Sequence, residues 1–148
     1  MLSTFEAEEP NNPVRRSEYK PPEYLVDHTD LVFNVINETR VEVSATLSMR
    51  RNPDAVVELD PGADGSKAPK APAITLNVGS EIKEISSISI DGVAVDQSQV
   101  SGTKSTMQIP GRDGNFTINI NTVINPAENK KRRGLYKSGD ALVTQHES

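Results

Sequence analysis

Arg40-Val41-Glu42-Val43-Ser44-Ala45-Thr46-Leu47-Ser48-Met49-Arg50 alternates without a break. Val41, Val43, Ala45, Leu47 and Met49 fall on one side of a two-residue period; Arg40, Glu42, Ser44, Thr46, Ser48 and Arg50 fall on the other. A helix would scatter these residues around its circumference, whereas a strand separates them onto two faces. The stretch predicts a β-strand with one wet face. Just upstream, Asp30 to Ile36 is apolar on both faces, with Leu31, Phe33 and Val35 on one and Val32 and Ile36 flanking Asn34 on the other. That pattern predicts a strand buried on two sides. The turn-like Asn37-Glu38-Thr39 joins the two runs into a hairpin.

Short strands continue on either side of polar punctuation. Val56, Val57 and Leu59 suggest one, Ile74, Leu76 and Val78 a second, and Met107 and Ile109 another. Ile82, Ile85 and Ile88 stand three apart, as on a helix, but the Ser and Ile content of Ile82 to Ile90 favours strand. Asp91-Gly92 predicts a tight hairpin turn before Val93 and Val95, and Asp113-Gly114 another turn. Phe116, Ile118, Ile120, Thr122 and Ile124 alternate with polar neighbours until Asn125-Pro126 ends the run. Residues 1–20 read as a flexible leader, and the Pro, Gly, Ala and Lys content of 61–72 reads as a mobile loop inserted within one domain. Residues 134–148 have neither a clean strand nor a clean helix period. The expected class is all-β: twisted antiparallel sheets or a β-sandwich.

Composition agrees. The 148 residues include 14 Val and 10 Ile against 8 Leu, and β-branched side chains suit a pleated surface better than a helix. The chain carries 16 Lys+Arg against 21 Asp+Glu, a formal net charge of -5, and no Trp. That balance and the scarcity of aromatics do not suit phosphate-backbone binding, so nucleic acid is not an expected partner. There is no cysteine, hence no disulfide and no thiolate ligand or nucleophile. No apolar run reaches the ~20 residues of a membrane helix, and a membrane partner is not expected. Met1 to Pro10 is acidic and does not resemble a secretory signal. The expected compartment is the cytoplasm.

Candidate chemistry is sparse. Lys130-Lys131-Arg132-Arg133 reads as a solvated basic loop rather than an anionic-partner patch, given the acidic whole. His146-Glu147 matches the opening of a His-Glu-x-x-His zinc motif without its second histidine, and His28 lies far away in sequence. No nucleophile elbow, phosphate loop or metal-spaced cluster is present. On the residues alone no catalytic or metal-ligating residue is expected in this chain.

The final segment, Gly134-Leu135-Tyr136-Lys137-Ser138-Gly139-Asp140-Ala141-Leu142-Val143-Thr144-Gln145-His146-Glu147, resembles the aminopeptidase N family of zinc metallopeptidases, its bacterial-type branch most closely. Gly-Leu-Tyr, Ser-Gly and Thr-Gln-x-Glu stand there in the family's order and spacing. Tyr19-Lys20-Pro21-Pro22-Glu23-Tyr24, Asp30-Leu31-Val32-Phe33, Phe116-Thr117-Ile118, Ile124-Asn125-Pro126-Ala127 and Asn129 keep that spacing too, so the resemblance covers about residues 19–148. It implies that residues 21–148 are most of a saddle-shaped N-terminal β domain, which packs on a catalytic domain that this sequence does not contain. The family removes N-terminal amino acids from peptides with a zinc ion held by two histidines and a glutamate. None of those ligands, nor the general base, nor the Gly-x-Met-Glu-Asn motif, is matched here.

The resemblance also implies two substrate-binding residues. Glu147 matches the glutamate that helps bind the substrate's free α-amine, and Gln145 matches the glutamine that lines the pocket for the first side chain. A carboxylate suits an ammonium because the pair forms a charge-assisted hydrogen bond. The expected partners are therefore the catalytic domain and peptides with a free N-terminus; the expected cofactor is none in this chain, with zinc in the full-length parent. Loop 61–72 looks longer than usual for the family, and the basic run 130–133 is atypical. The alternative is a stand-alone β-sandwich interaction module whose sheet surface is the function. In the aminopeptidase reading, the surface that would pack on the catalytic domain, including part of 134–148, is expected to be left exposed, which predicts a marginally stable or self-associating chain.

Overall fold

The computed structural model describes residues 15–16, 19–55, 71–79, 81–103 and 106–146. In chain order the strands are β1 (Tyr24–Asn37), β2 (Arg40–Arg51), β3 (Ile74–Asn77), β4 (Ile82–Ile90), β5 (Val93–Ala94), β6 (Ser101–Gly102), β7 (Thr106–Ile109), β8 (Asn115–Ile124), β9 (Gly134–Ser138) and β10 (Ala141–Gln145). They form three antiparallel sheets: a large one ordered β1-β2-β8-β4-β5, a small one ordered β3-β7-β6, and the hairpin β9-β10. The fold is all-β, as composition and alternation predict. The expected strand at Val56 to Leu59, most of loop 61–72 and most of the leader 1–20 lie outside the described residues.

The opening hairpin forms for local reasons. The Asn37 side-chain oxygen accepts the Thr39 backbone N–H at 2.9 Å and the Thr39 hydroxyl at 2.8 Å, which closes the two-residue loop. The alternation of β2 then sets its register on β8. Val41, Val43, Ala45, Leu47 and Met49 lie opposite Ile124, Thr122, Ile120, Ile118 and Phe116. A slip of one residue would turn all of them to the other side. The reverse face is wet, and its polar side chains tie neighbouring strands. Asn119 donates to the Thr46 hydroxyl and Asn121 to the Ser87 hydroxyl, each at 2.8 Å.

The helix-like spacing in β4 resolves through two bulges. Register shifts between Ile82 and Glu84 and between Ile85 and Ser87 each insert one residue. Ile82, Ile85, Ile88 and Ile90 therefore oppose Ile124, Thr122, Ile120 and Ile118, whose spacing is two. Four isoleucines at uneven sequence intervals share one apolar face. Asp91 (φ 50) and Gly92 (φ 77) make the expected tight turn, with Ile90 opposite Val93.

The small sheet packs against one end of that apolar face. Ile74, Met107 and Ile109 join Met49, Ile88, Ile90, Phe116 and Ile118 in a single buried cluster. Tyr24 seals its border. Its hydroxyl donates to the Pro72 carbonyl at 2.6 Å and accepts the Arg112 N–H at 3.2 Å. Its ring meets Phe116 edge-on at 5.7 Å and lies 5.2 Å from the Arg51 guanidinium carbon.

Two expectations are corrected. The strand at Asp30 to Ile36 is not buried on two sides: Leu31 is 54% exposed and Phe33 48%. It belongs to β1, the outermost strand of the large sheet, and the buried cluster gathers at the other end of that sheet. The two-sided apolar pattern carried no information about edge position. Residues 134–148 are not irregular either. Most of them form the β9-β10 hairpin, whose two-residue loop begins with Gly139 at φ 59. The segment mixes polar and apolar residues because the hairpin stands apart with little of its surface covered.

Candidate functional site

Gln145 and Glu147 are the residues the sequence singles out. Gln145 closes β10 and is exposed; His146 follows it, also exposed; Glu147 lies outside the described residues. In the hairpin Gln145 lies directly opposite Gly134, Thr144 opposite Leu135, and Val143 opposite Tyr136. Gly134 has no side chain, so the amide of Gln145 meets no bulk from its cross-strand neighbour.

The base of the hairpin is built by Asn129. β8 stops where Pro126 cannot extend a ladder, and Pro126–Glu128 forms one short 3-10 turn capped by the Asn125 side chain. Asn129 follows, only 7% exposed. Its Nδ2 donates to the Arg133 carbonyl at 2.7 Å and the Leu135 carbonyl at 2.9 Å; its Oδ1 accepts the Arg132 N–H at 3.0 Å. Loop 130–133 thus wraps around one amide, with Arg132 at φ 56. The four basic side chains of that loop are exposed, as expected of a solvated run.

Three further contacts tie this base to the large sheet. Lys137 on β9 pairs with Glu38 in the β1–β2 turn. The Glu38 carbonyl accepts the Ala127 N–H at 3.0 Å. Lys83 on β4 meets Glu128 at 2.6 Å. The Lys83 hydrogen bond, and then its charge, holds the Glu128 carboxyl below the usual carboxylate range. The pair is exposed, so it positions more than it stabilises.

Asn129→Ala is expected to loosen the hairpin before it unfolds the domain. It leaves two carbonyls and one N–H without their partner in a half-buried setting, at a cost of about 2–3 kcal/mol. Hydrogen exchange should speed up across 132–144 and stay unchanged in β2 and β8. Uniform acceleration, or none, would contradict the assignment.

An open concavity of about 380 Å³ lies elsewhere, on the wet face of the large sheet, lined by Val32, Asn34, Glu42, Ser44, Asn121 and Val123 among others. Hydrogen bonds from Arg40 and then Asn34 hold the Glu42 carboxyl below its ordinary range. A carboxylate already paired in this way is a poor proton acceptor near neutral pH. Zinc is the metal that the resemblance implies for the full-length parent, and the described residues offer no set of ligands that fits it. Among the described residues no three His, Cys, Asp or Glu side chains converge. His28 stands on β1 with Asp30 at 3.2 Å, both exposed. The Asn129 anchor was not legible as such, because an asparagine between a Pro and a basic run reads simply as a turn.

No protein-family model matches the chain. Among curated proteins, aminopeptidase N of Caulobacter vibrioides is 30% identical over 135 residues, 91% of this chain and 14% of that protein. Aminopeptidase N of Escherichia coli is 29% identical over 133 residues, 90% of the chain and 13% of the protein. The Haemophilus influenzae aminopeptidase N is 27% identical over 134 residues. The crystal structure of Legionella pneumophila aminopeptidase A in complex with aspartic acid superposes with a TM-score of 0.69 at 22% identity, over 89% of this chain and 14% of that one; it shows a shared fold. The chain spans only 13–14% of the length of the Caulobacter and Escherichia relatives. Nine-tenths of its residues nonetheless align with each, on an all-β scaffold that a solved aminopeptidase shares. Over nine-tenths of its length the chain is similar to aminopeptidases N, and it matches a small N-terminal portion of them.

Proposed function

We propose that this chain serves as the amine-facing part of the N-terminal β domain of a cytoplasmic zinc aminopeptidase, packing on the catalytic domain and helping to hold the free N-terminus of a peptide. The observation that carries this reading is the match to three aminopeptidases N over nine-tenths of the chain. The anchored hairpin supports it. Gln145 sits at the end of a strand pair whose base is fixed by the buried Asn129 amide. Glu147 follows two residues later and supplies the carboxylate that pairs with the substrate ammonium. Such a pair contributes by orientation, since it holds the scissile end of the peptide at a set distance from the reacting centre. Zinc belongs to the catalytic domain in this reading, and none of this chain's chemistry runs through it.

The test is a chimera. The segment of Caulobacter vibrioides aminopeptidase N that this chain matches is replaced by this chain, and release of an amino-acid chromophore is followed. The chimera should be active and zinc-dependent; the 148-residue chain alone should not be. Glu147→Ala in the chimera should lower kcat/KM for free-amine substrates by roughly 30- to 100-fold, as expected for loss of a charged hydrogen bond. Unchanged kinetics would remove the role of Glu147. Turnover by the isolated chain would remove the division of labour between the two domains.

A further inference from the structure

β1 is 14 residues long and forms one edge of the large sheet, and among the described residues nothing pairs with its outer side. The opposite edge, β5, is only two residues long. Proteins usually blunt a long edge with Lys, Pro or a covering element. Between His28 and Asn37 this strand holds neither Lys nor Pro, and its one acid is Asp30. Leu31, Val32, Phe33, Val35 and Ile36 are each about half exposed or more. On the face of Leu31, Phe33 and Val35 the order is close to a palindrome about Phe33, while on the other face Val32 falls opposite Asn34. In an antiparallel ladder centred there, Leu31 lies opposite Val35 of the second strand, Phe33 opposite Phe33, and Val35 opposite Leu31. All three apolar residues of one face then meet apolar partners. No like charges face each other, since Asp30 falls opposite Ile36.

We propose that a second copy of this chain occupies the β1 edge, forming a two-fold dimer in which two five-stranded sheets join through antiparallel β1 pairing centred on Phe33. A two-fold interface requires a self-complementary patch, and the palindromic order supplies one. Cross-strand aromatic and aliphatic pairs are the contacts that stabilise such ladders. The inference does not depend on the peptidase reading.

The experiment uses the full 148-residue chain. Sedimentation velocity over a range of concentrations should show a monomer–dimer equilibrium. Phe33→Lys, at a half-exposed position, should keep the native circular dichroism and weaken dimerisation roughly a hundredfold. The chain has no cysteine, so Phe33→Cys places one thiol per copy. Directly opposite residues in an antiparallel pair lie about 4.5–5.5 Å apart between Cα atoms, within disulfide reach. Mild oxidation should cross-link Phe33→Cys and not Val35→Cys. A monomer at every concentration overturns the proposal. So does a dimer that survives Phe33→Lys, or one that cross-links at Val35 in place of Phe33.

Discussion

Ile118→Ala is expected to lower the unfolding free energy by about 3–4 kcal/mol. Ile118 is fully buried at the centre of β8. Leu47 lies directly opposite it on one side and Ile90 on the other, and the small sheet closes over the same cluster. Removing three carbons there loses their transfer free energy and leaves a cavity. Neighbours held in two ladders have little room to collapse into it. Val93→Ala, at a position 64% exposed, serves as the control and should shift stability by less than about 0.5 kcal/mol. Urea unfolding followed by far-ultraviolet circular dichroism measures both. A loss below about 1 kcal/mol at Ile118 would mean that the two sheets do not share a packed core.

Gly111→Ala is expected to cost about 2–3 kcal/mol, although it adds only one carbon. A Cβ there would collide with the Pro72 carbonyl oxygen and stand 2.6 Å from that of Ala71. Both oxygens are backbone atoms, so no side chain can swing away. The Pro72 carbonyl also receives the Tyr24 hydroxyl, and that hydroxyl accepts the N–H of Arg112, the residue after Gly111. Pushing the two segments apart breaks the bridge and the collision is relieved only at that expense. Tyr24→Phe removes the bridge without the collision and should cost about 1 kcal/mol. If Gly111→Ala matched wild type in the same unfolding measurement, the close approach would not be part of the native state.

Much of this was legible in advance, and the reason is local. β2 and β8 declared themselves because a two-residue period has no helical counterpart over ten residues. Asp91-Gly92 declared itself because few dipeptides adopt two positive φ angles cheaply. β4 was ambiguous for an equally physical reason. Its bulges displace the isoleucines to a three-residue spacing, and bulges depend on the partner strand rather than on the run itself. The hairpin at 134–145 was missed because it is only partly covered and therefore carries no clean apolar period. The candidate site divides in the same way. Gln145 and Glu147 are singled out by their resemblance to a family segment, and Glu147 lies outside the described residues. The role of Asn129, which fixes the base of the hairpin that ends at Gln145, was visible only once its amide was seen between three backbone groups.

The sequence by itself determined the class of fold, the faces of its main strands, the turns at Asn37 and Asp91, and the likeness to aminopeptidases. These follow from period, backbone stereochemistry and motif spacing, which are properties of neighbouring residues. Tertiary structure alone decided that β1 is an edge rather than an interior strand, that two bulges align Ile82, Ile85, Ile88 and Ile90, and that one buried asparagine carries the terminal hairpin. Each of these depends on which segments lie beside one another in space. A side chain's pattern says which face it prefers, and only its neighbours say whether that face is covered.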